Sequence, residues 1–289
     1  MFVNLPLVVH VVLSLGGWFR VVDLIVTGAG GRLGRILRAA WAEEAGPLRP
    51  VWTGRGVGLP VQWDMLAEMP QGLPRGAVVL HLAGATLQGD PSAMRRNTDL
   101  VPPLLRMCQK TGARRLLFMS SAPVYPPGGP WAETADLAPS TAYGRSKAEA
   151  EALVRAQSHV PVTILRPGNI AGADALLGPR GPGEILLDPV PGQLGGPLRS
   201  WIGARLLAQV LAALCQRDLP PVLNLAQGPP LRMGELLQAS GLPWRYGAAP
   251  AAVPIATQDA ALLQTILPLP RAGPARLAAE AAWARGVLE

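Results

Sequence analysis

Short apolar runs alternate with amphipathic segments along most of the chain. The segment VVDLIVTG (21–28) is apolar almost throughout, as is typical of a strand buried on both faces of a sheet. The next segment, RLGRILRAAWAEEAG (32–46), has apolar residues at helical spacing from Leu33, and Gly46 marks its predicted end. The folded part therefore begins with a buried strand that is followed by an amphipathic helix.

The same alternation continues to residue 168. Further strands are predicted at 51–54, 61–63, 77–84, 114–121 and 161–168, and helices at about 97–111 and 142–157. Strands with little polar alternation, separated by helices, are typical of a parallel sheet that is covered on both faces. The predicted fold class is therefore α/β, a doubly wound parallel sheet.

Beyond Gly168 the pattern changes. Residues 172–199 are rich in Gly and Pro and are predicted to form a long loop over the carboxyl ends of the strands. Further elements are predicted in the remainder: helices at about 202–217, 232–240 and 274–285, and a strand at 221–226. We therefore predict a dinucleotide-binding domain over 21–168 and a smaller substrate-binding part over 169–289.

Residues 1–20 form an apolar extension that we predict to lie outside the core. The run from Leu5 to Leu15 has the length of a signal-peptide core, but no basic segment precedes it and no small-residue cleavage site follows it. It is also too short to span a bilayer and is followed by two glycines. No membrane association is expected.

Composition narrows the possible partners. The chain has 289 residues, is 49% hydrophobic and carries a formal net charge of +7, so it can bury a full core and has a basic surface. Its arginines are scattered and do not alternate with aromatic residues, which argues against a nucleic-acid partner. Cys108 and Cys215 match no metal-binding or redox spacing. A cytoplasmic protein with buried thiols and no metal is predicted.

A glycine-rich turn, TGAGGRLG (27–34), connects the first strand to the first helix. Gly28 permits a tight turn, Gly31 lets the backbone approach a pyrophosphate, and Gly34 lets the helix pack closely on the strand. The helix N-terminus offers free N–H groups to the phosphates. The predicted contacts of a bound dinucleotide here are Gly28, Gly31, Arg32, Leu33 and Gly34.

The end of the second strand bears on the choice between NAD and NADP. An NAD site usually has an acid there that accepts from the ribose 2′-hydroxyl. The strand VWTG (51–54) ends without an acid and is followed by Arg55, which could pair with a 2′-phosphate. The predicted cofactor is NAD(P), with NADP favoured over NAD.

A tyrosine and a lysine stand four residues apart in AYGRSK (142–147). Tyr143 and Lys147 share one face of the predicted helix, although the chain has only three tyrosines and two lysines. A nearby ammonium favours the phenolate, so Tyr143 could exchange a proton with a substrate oxygen while hydride moves to or from a nicotinamide. Ser121, at the end of the preceding strand, could hold that oxygen. The three residues are predicted to be catalytic, and Tyr143 and Lys147 are also predicted to contact the cofactor.

These motifs occur in a characteristic order. TGAGGRLG (27–34), HLAG (81–84), SSAPVY (120–125), YGRSK (143–147) and RPGNIAG (166–172) together resemble the extended short-chain dehydrogenase/reductase family, the NAD-dependent epimerase/dehydratases. The resemblance covers about residues 22–210. It implies a Rossmann-like domain that binds NAD(P), a Ser-Tyr-Lys centre and a small C-terminal domain that closes over the substrate. It also implies a homodimer formed through the helices near 97–111 and 142–157.

The resemblance also implies further site residues by position. Expected cofactor contacts are Asp64 and Met65 at the adenine, Leu82 and Ala83 at the ribose and pyrophosphate, Asn97 at a helix start and Pro167 beside the nicotinamide. Expected substrate contacts, besides Ser121, are Asn169 and Arg199, where the phosphates of sugar nucleotides are often bound.

Three hypotheses for function follow. The first is an NAD(P)-dependent oxidoreductase or epimerase that acts on a hydroxyl or carbonyl carbon of a sugar or sugar nucleotide. The second is a simple sugar or carbonyl dehydrogenase whose substrate has no nucleotide; Leu206, where the family usually has an acid, and the short C-terminal part favour it. The third is a non-catalytic NADPH-binding sensor or assembly factor, against which Tyr143 and Lys147 argue. Ala122, which replaces the residue that 4,6-dehydratases use, disfavours dehydration.

Overall fold

The computed structural model describes residues 21–44, 46–86, 91–181 and 183–289. Within these residues the strands are β1 (Val22–Thr27), β2 (Leu48–Gly54), β3 (Val61–Gln62), β4 (Val78–His81), β5 (Arg115–Met119), β6 (Gly128–Trp131), β7 (Val162–Pro167), β8 (Asn169–Ala171), β9 (Ile185–Leu187), β10 (Leu198–Gly203), β11 (Val222–Leu225), β12 (Gln227–Arg232), β13 (Trp244–Tyr246) and β14 (Ile255–Gln258).

The helices lie mostly between these strands. They are α1 (Arg32–Glu43), α2 (Pro91–Asp99), α3 (Val101–Thr111), α4 (Ala142–Gln157), α5 (Ala204–Leu214), α6 (Met233–Ala239), α7 (Ala261–Ile266) and α8 (Pro274–Leu288), with a short 3₁₀ turn at Ala122–Val124. Among the described residues, no helix combines the length and the apolar character needed to cross a membrane. The predicted extension at 1–20 lies outside the described residues.

Seven strands form a central sheet in the order β3-β2-β1-β4-β5-β7-β11. All of its neighbouring strands are parallel. Each crossover between parallel strands needs a connection, and helices supply most of them. The α/β prediction of a doubly wound, Rossmann-like sheet is therefore confirmed.

The sheet is buried on both faces, as its apolar strands predict. In β1, Leu24 and Val26 belong to a core cluster with residues of α1, α5 and α7. Ile25, between them, belongs to a second cluster with residues of α3 and α4. Because successive side chains of a strand point to opposite faces, one apolar strand serves both layers.

A second sheet has the order β12-β10-β14-β6, with β8 also paired to β10. Strand β6 comes from before residue 168, whereas β11 of the central sheet comes from beyond it. The two sheets therefore exchange chain segments across the predicted domain boundary. That boundary stays a prediction.

Two local predictions were wrong. The predicted loop at 172–199 contains β9, which pairs with β13 more than fifty residues further along the chain, and the beginning of β10. Local sequence carries no signal for such a distant partner. The single helix predicted at about 97–111 is two helices, because Pro102 and Pro103 begin a new helix after Leu100.

Candidate functional site

The first turn of α4 is packed against the segment that follows β5. Thr141 caps α4 by accepting a hydrogen bond from the Gly144 N–H at 3.0 Å. Gly144 is buried, and a side chain there would collide with the carbonyl of Pro123. This close approach brings the predicted Ser121 and Tyr143 together.

The side chains of Tyr143 and Ser121 lie near each other, close enough for Ser121 to affect the pKa of the phenol. Burial raises the pKa of Tyr143 above its ordinary value, and the hydrogen bond with the Ser121 side chain acts in the opposite direction. Desolvation is the larger of these two effects, and Lys147, which was predicted to lower the pKa of Tyr143, does not reverse the shift. The phenol is therefore protonated at neutral pH unless another positive charge is brought close to it.

Lys147 is almost fully buried one helical turn further along α4. Its Nζ donates a hydrogen bond to the carbonyl oxygen of Met119 at 3.0 Å. Burial lowers the pKa of Lys147 to about 8, and the negative charge of Glu151 opposes that shift. A Cβ built at Gly84 would lie 3.3 Å from Nζ, so the ammonium reaches the loop after β4.

Asn97 joins the same loop to α4. Its Oδ1 accepts from the Ala85 N–H at 3.0 Å, and its Nδ2 donates to the Ala85 carbonyl at 3.1 Å and to Ser146 Oγ at 2.9 Å. A Cβ at Gly84 would lie 2.5 Å from Oδ1. Asn97 thus fixes the loop beside Lys147, because its side-chain amide is hydrogen-bonded to Ala85 and Ser146.

The glycine-rich turn forms one wall of a cavity of about 430 Å³. Gly28 has a φ of +77°, and a Cβ there would lie 2.5 Å from the Ala83 nitrogen, so only glycine lets β1 and β4 approach at this point. Gly31 occupies the position before α1 and makes no capping hydrogen bond, and the first turn of α1 has no acidic residue. The N–H groups and positive end of α1 are therefore free to bind an anion.

Half of the fourteen predicted cofactor residues line this cavity: Gly28, Gly31, Arg55, Asp64, Met65, Leu82 and Ala83. The lining also includes Arg96, which the sequence reading missed although it stands in a pair of arginines at a helix end. Asp64 Oδ1 accepts from the Leu66 N–H at 3.1 Å and so shapes the far wall.

The other seven do not line the cavity, and two of these, Tyr143 and Lys147, are described above. Arg32 turns away and donates to the Ala173 carbonyl at 2.8 Å, and Leu33 packs against the core. A Cβ at Gly34 would lie 2.5 Å from the Gly28 carbonyl oxygen, so this glycine serves helix packing. The last two of the seven are Asn97, described above, and Pro167, which is buried at the end of β7.

A second cavity has a volume of about 180 Å³. It is lined by Ala122, Pro123 and Thr141, which are close neighbours of Ser121 and Tyr143 in the sequence. The predicted substrate residues Asn169 and Arg199 also line it. Arg199 donates to the carbonyls of Leu198 at 2.8 Å and Val253 at 2.7 Å, and burial lowers its pKa. Within the described residues no carboxylate pairs with Arg199.

A buried polar network lies behind this cavity. Glu151, one turn after Lys147 on α4, binds Arg166 through both carboxylate oxygens and also accepts from Ser120 Oγ. Arg166 Nη1 donates to the Tyr125 hydroxyl at 2.8 Å. The sequence reading missed these residues, although the spacing of Tyr143, Lys147 and Glu151 at every fourth position is a signal for one shared face.

The sequence and the fold both resemble known proteins. The model of the NAD dependent epimerase/dehydratase family matches residues 24–186. The structure of MoeE5 in complex with UDP-glucose and NAD is 25% identical, with 92% of this chain and 100% of that chain covered and a TM-score of 0.73. No curated protein matches the sequence.

Two further solved structures share the fold. The NAD-dependent NDP-hexosamine 5,6-dehydratase TunA is 21% identical, with 91% of this chain and 98% of that chain covered and a TM-score of 0.74. UDP-glucose-4-epimerase from Stenotrophomonas maltophila, with bound NAD and formylated UDP-arabinopyranose, is 22% identical. It covers 92% of this chain and 99% of its own, with a TM-score of 0.73.

Proposed function

The chain belongs to the NAD dependent epimerase/dehydratase family, a family of enzymes, and from this premise we propose that it transfers hydride to or from a hydroxyl or carbonyl carbon of a sugar nucleotide. The cofactor is NAD(P), and the reacting groups of the protein are Ser121, Tyr143 and Lys147. The observation that carries the proposal is the arrangement on α4. One face of this helix holds a phenol against the Ser121 hydroxyl and an ammonium against the loop that lines the larger cavity.

The larger cavity suits a dinucleotide. Its volume of about 430 Å³ lies within the range of roughly 300–1,000 Å³ typical of ligand sites. The backbone of the glycine-rich turn and the uncapped N-terminus of α1 would hold the pyrophosphate, and the walls at Asp64, Met65, Leu82 and Ala83 would hold the adenosine. When bound, the cofactor supplies the hydride acceptor or donor at its nicotinamide ring.

The residues of α4 and β5 handle the proton. During oxidation, the Tyr143 oxygen takes the proton of the substrate hydroxyl as the carbon–hydrogen bond gives up its hydride, so that the hydroxyl becomes a carbonyl. During reduction, the Tyr143 hydroxyl returns a proton to the carbonyl oxygen. The Ser121 hydroxyl would hold the same oxygen in reach. The ammonium of Lys147 would contact the ribose, and together with the positive charge of an oxidised nicotinamide it would favour the phenolate.

The smaller cavity suits part of the substrate. Its volume of about 180 Å³ is below the roughly 300 Å³ of whole-ligand pockets, so it takes one sugar ring rather than a complete sugar nucleotide. Arg199 supplies a positive charge at its wall for a phosphate, and Asn169 an amide. An epimerase would return hydride to the opposite face of a ketone formed in this cavity.

A nucleotide-linked substrate is supported by chain length. The short C-terminal part and Leu206 had favoured a substrate without a nucleotide, but Leu206 is buried in the core away from both cavities. The chain also covers all of MoeE5, whose structure holds UDP-glucose. A C-terminal part of this size is thus compatible with a sugar-nucleotide substrate.

For the cofactor we retain a preference for NADP. β2 ends at Gly54 without an acid, and Arg55 and Arg96 both line the cavity and are exposed there. Two guanidinium groups would bind a 2′-phosphate, whereas a free 2′-hydroxyl would meet no carboxylate at the end of β2. The structures of MoeE5 and of the Stenotrophomonas maltophila epimerase hold NAD, and TunA is NAD-dependent, so both cofactors are to be measured.

The decisive experiment combines ligand identification with one substitution. Mass spectrometry of the purified protein would reveal a retained NAD(H) or NADP(H), and a panel of UDP- and dTDP-sugars would then be followed by nicotinamide absorbance and by chromatography of the sugars, since an epimerase gives no net absorbance change. Tyr143→Phe keeps the ring and removes the hydroxyl, and we expect it to lower kcat by about a hundredfold or more. Unchanged turnover in Tyr143→Phe would contradict the catalytic assignment. Tyr246→Phe, at an exposed tyrosine, is the control.

A further inference from the structure

Gln258 is a buried residue at the end of β14 whose side chain is only half satisfied. It lines the smaller cavity and is 6% exposed. Its Nε2 donates to the Arg166 carbonyl and to Asn224 Oδ1, both at 2.9 Å. Its Oε1 has no hydrogen-bond partner among the described residues. A buried acceptor without a partner costs about 1–3 kcal/mol, so its presence calls for an explanation.

The orientation of this amide is fixed by its neighbours. Asn224 Nδ2 donates to the carbonyls of Trp131 at 3.0 Å and Asp259 at 2.9 Å, so the Asn224 oxygen must face the other way. That oxygen accepts from the Tyr125 hydroxyl at 2.8 Å and from Gln258. A flipped Gln258 amide would place its oxygen against two acceptors, and therefore the unpartnered atom is the oxygen.

The free oxygen lies next to Gly168, one of the residues that line the cavity together with Gln258. A Cβ built at Gly168 would be 3.2 Å from Gln258 Oε1 and 2.6 Å from the Ser200 carbonyl oxygen. Gly168 and Ser200 both line the cavity with Gln258. Because residue 168 is a glycine, no side-chain atom of that residue stands beside Oε1, at a point next to Asn169 in the sequence.

We propose that Gln258 Oε1 accepts a hydrogen bond from one hydroxyl or N–H group of the substrate's sugar ring, which makes Gln258 a specificity-determining residue. The inference rests on the proposed function. A site built to accept from a donor rejects an analogue that lacks it, because the buried acceptor is then left unpaired. The enzyme therefore selects sugars with a donor at that ring position over deoxy or fluoro sugars.

The test compares hydroxyl and fluorine on the substrate with and without Gln258. Sugar nucleotides in which one ring hydroxyl at a time, other than the reacting one, is replaced by fluorine keep their size but lose the donor. In the wild-type enzyme one such replacement should lower kcat/KM by about tenfold or more. In Gln258→Met, which keeps the length of the side chain but removes the acceptor, the same replacement should lower kcat/KM by less than about threefold.

This comparison separates a loss of recognition from a loss of structure, because the hydroxyl and fluoro substrates are compared on the same variant. Gln238→Met, the same change at an exposed glutamine that lines neither cavity, is the matched control and should keep the wild-type ratio at that ring position. Since Gln258→Met also removes two hydrogen bonds from the network, circular dichroism and a urea titration of the variant check that the fold persists. If no replacement affects the wild-type enzyme, or if the ratio persists without Gln258, as for an oxygen that binds only a buried water, the inference is wrong. If the wild-type enzyme neither binds nor converts any sugar nucleotide, the proposed function fails as well.

Discussion

Glu151 and Arg166 form an ion pair in the interior, behind the smaller cavity. Arg166 Nε donates to Oε1 of the carboxylate at 3.0 Å and Nη2 to Oε2 at 2.7 Å, and the side chains are 1% and 2% exposed. Because Glu151 lies one turn after Lys147, the pair connects the proposed catalytic helix to β7. It also anchors Tyr125, which leads to Asn224 and Gln258.

We expect loss of one partner to destabilise the fold strongly. Arg166→Met leaves the Glu151 carboxylate buried with Ser120 and the partly exposed Arg155 as partners, and the free energy of unfolding should fall by about 3–5 kcal/mol in urea titrations. Arg49→Met, at an ion pair with Asp23 that is open to water, should cost less than about 1 kcal/mol. A loss of similar size in both variants would show that burial does not set the strength of the Glu151 pair.

The sequence predicted the central sheet and its glycine-rich turn well, because both have local causes. Apolar strands such as β1 and the spacing of Gly28, Gly31 and Gly34 are visible within a few residues. The helix α4 was predicted with its bounds, since Thr141 caps it and Tyr143 and Lys147 occupy one face.

The missed parts depend on partners that are distant in the chain. The position of β14, which contains Gln258, depends on its pairing with β10 and β6, and the position of the Arg166 side chain depends on its ion pair with Glu151. Arg32 was expected at the phosphates from its place in the motif, but it donates to Ala173, which is far away in sequence. None of these three contacts leaves a pattern in the local sequence.

Lysine 147 should not be replaceable by arginine. Its ammonium fits between the Met119 carbonyl and the Gly84 loop, where a planar guanidinium with five donors has no room for the same contacts. Lys147→Arg should lower kcat/KM by about tenfold or more, while Lys110→Arg, at the chain's only other lysine, which is exposed, should leave it unchanged. Equal activity of the two variants would show that any cation suffices. Circular dichroism of both variants checks that the fold persists.

The exposed Arg55 should bind NADP in preference to NAD. It follows the acid-free end of β2 and lines the larger cavity, so its guanidinium can pair with a 2′-phosphate. Arg55→Ala should weaken NADPH binding by roughly five- to tenfold and leave NADH binding within about twofold, as measured by fluorescence titration. Arg106→Ala, at an exposed arginine of α3, is the control. Equal losses for both cofactors in Arg55→Ala would contradict an NADP preference.

Both cysteines should be inert in the folded protein. Burial raises the pKa of Cys108 and of Cys215 to about 12, and the thiolate is the reactive form. Neither thiol should react with an aromatic disulfide reagent at neutral pH, whereas both should react once the chain is unfolded in urea. Rapid labelling of either residue in the native protein would show that its surroundings open readily.

Asp174 should make stability depend on pH in a direction unusual for an acid. Its Oδ1 accepts from the Leu177 N–H at 2.7 Å, but its Oδ2 is buried without a partner among the described residues. Burial raises its pKa from 3.8 to about 6, and the backbone hydrogen bonds and Arg32 oppose this shift. The folded state therefore binds the proton more tightly than the unfolded chain. Its contribution to stability is complete below about pH 4 and is lost as the pH rises through about 6.

Asp174→Asn keeps an oxygen for Leu177 and removes the charge. Relative to the wild-type protein, the variant should gain up to about 3 kcal/mol of unfolding free energy between about pH 4 and about pH 7.5, since each pKa unit corresponds to about 1.4 kcal/mol. Asp188→Asn, at an exposed carboxylate that stays in contact with water, should show no such gain. Urea titrations of the three proteins at both pH values measure the difference. A constant offset between Asp174→Asn and the wild-type protein would mean that Asp174 binds its proton equally in the folded and unfolded states.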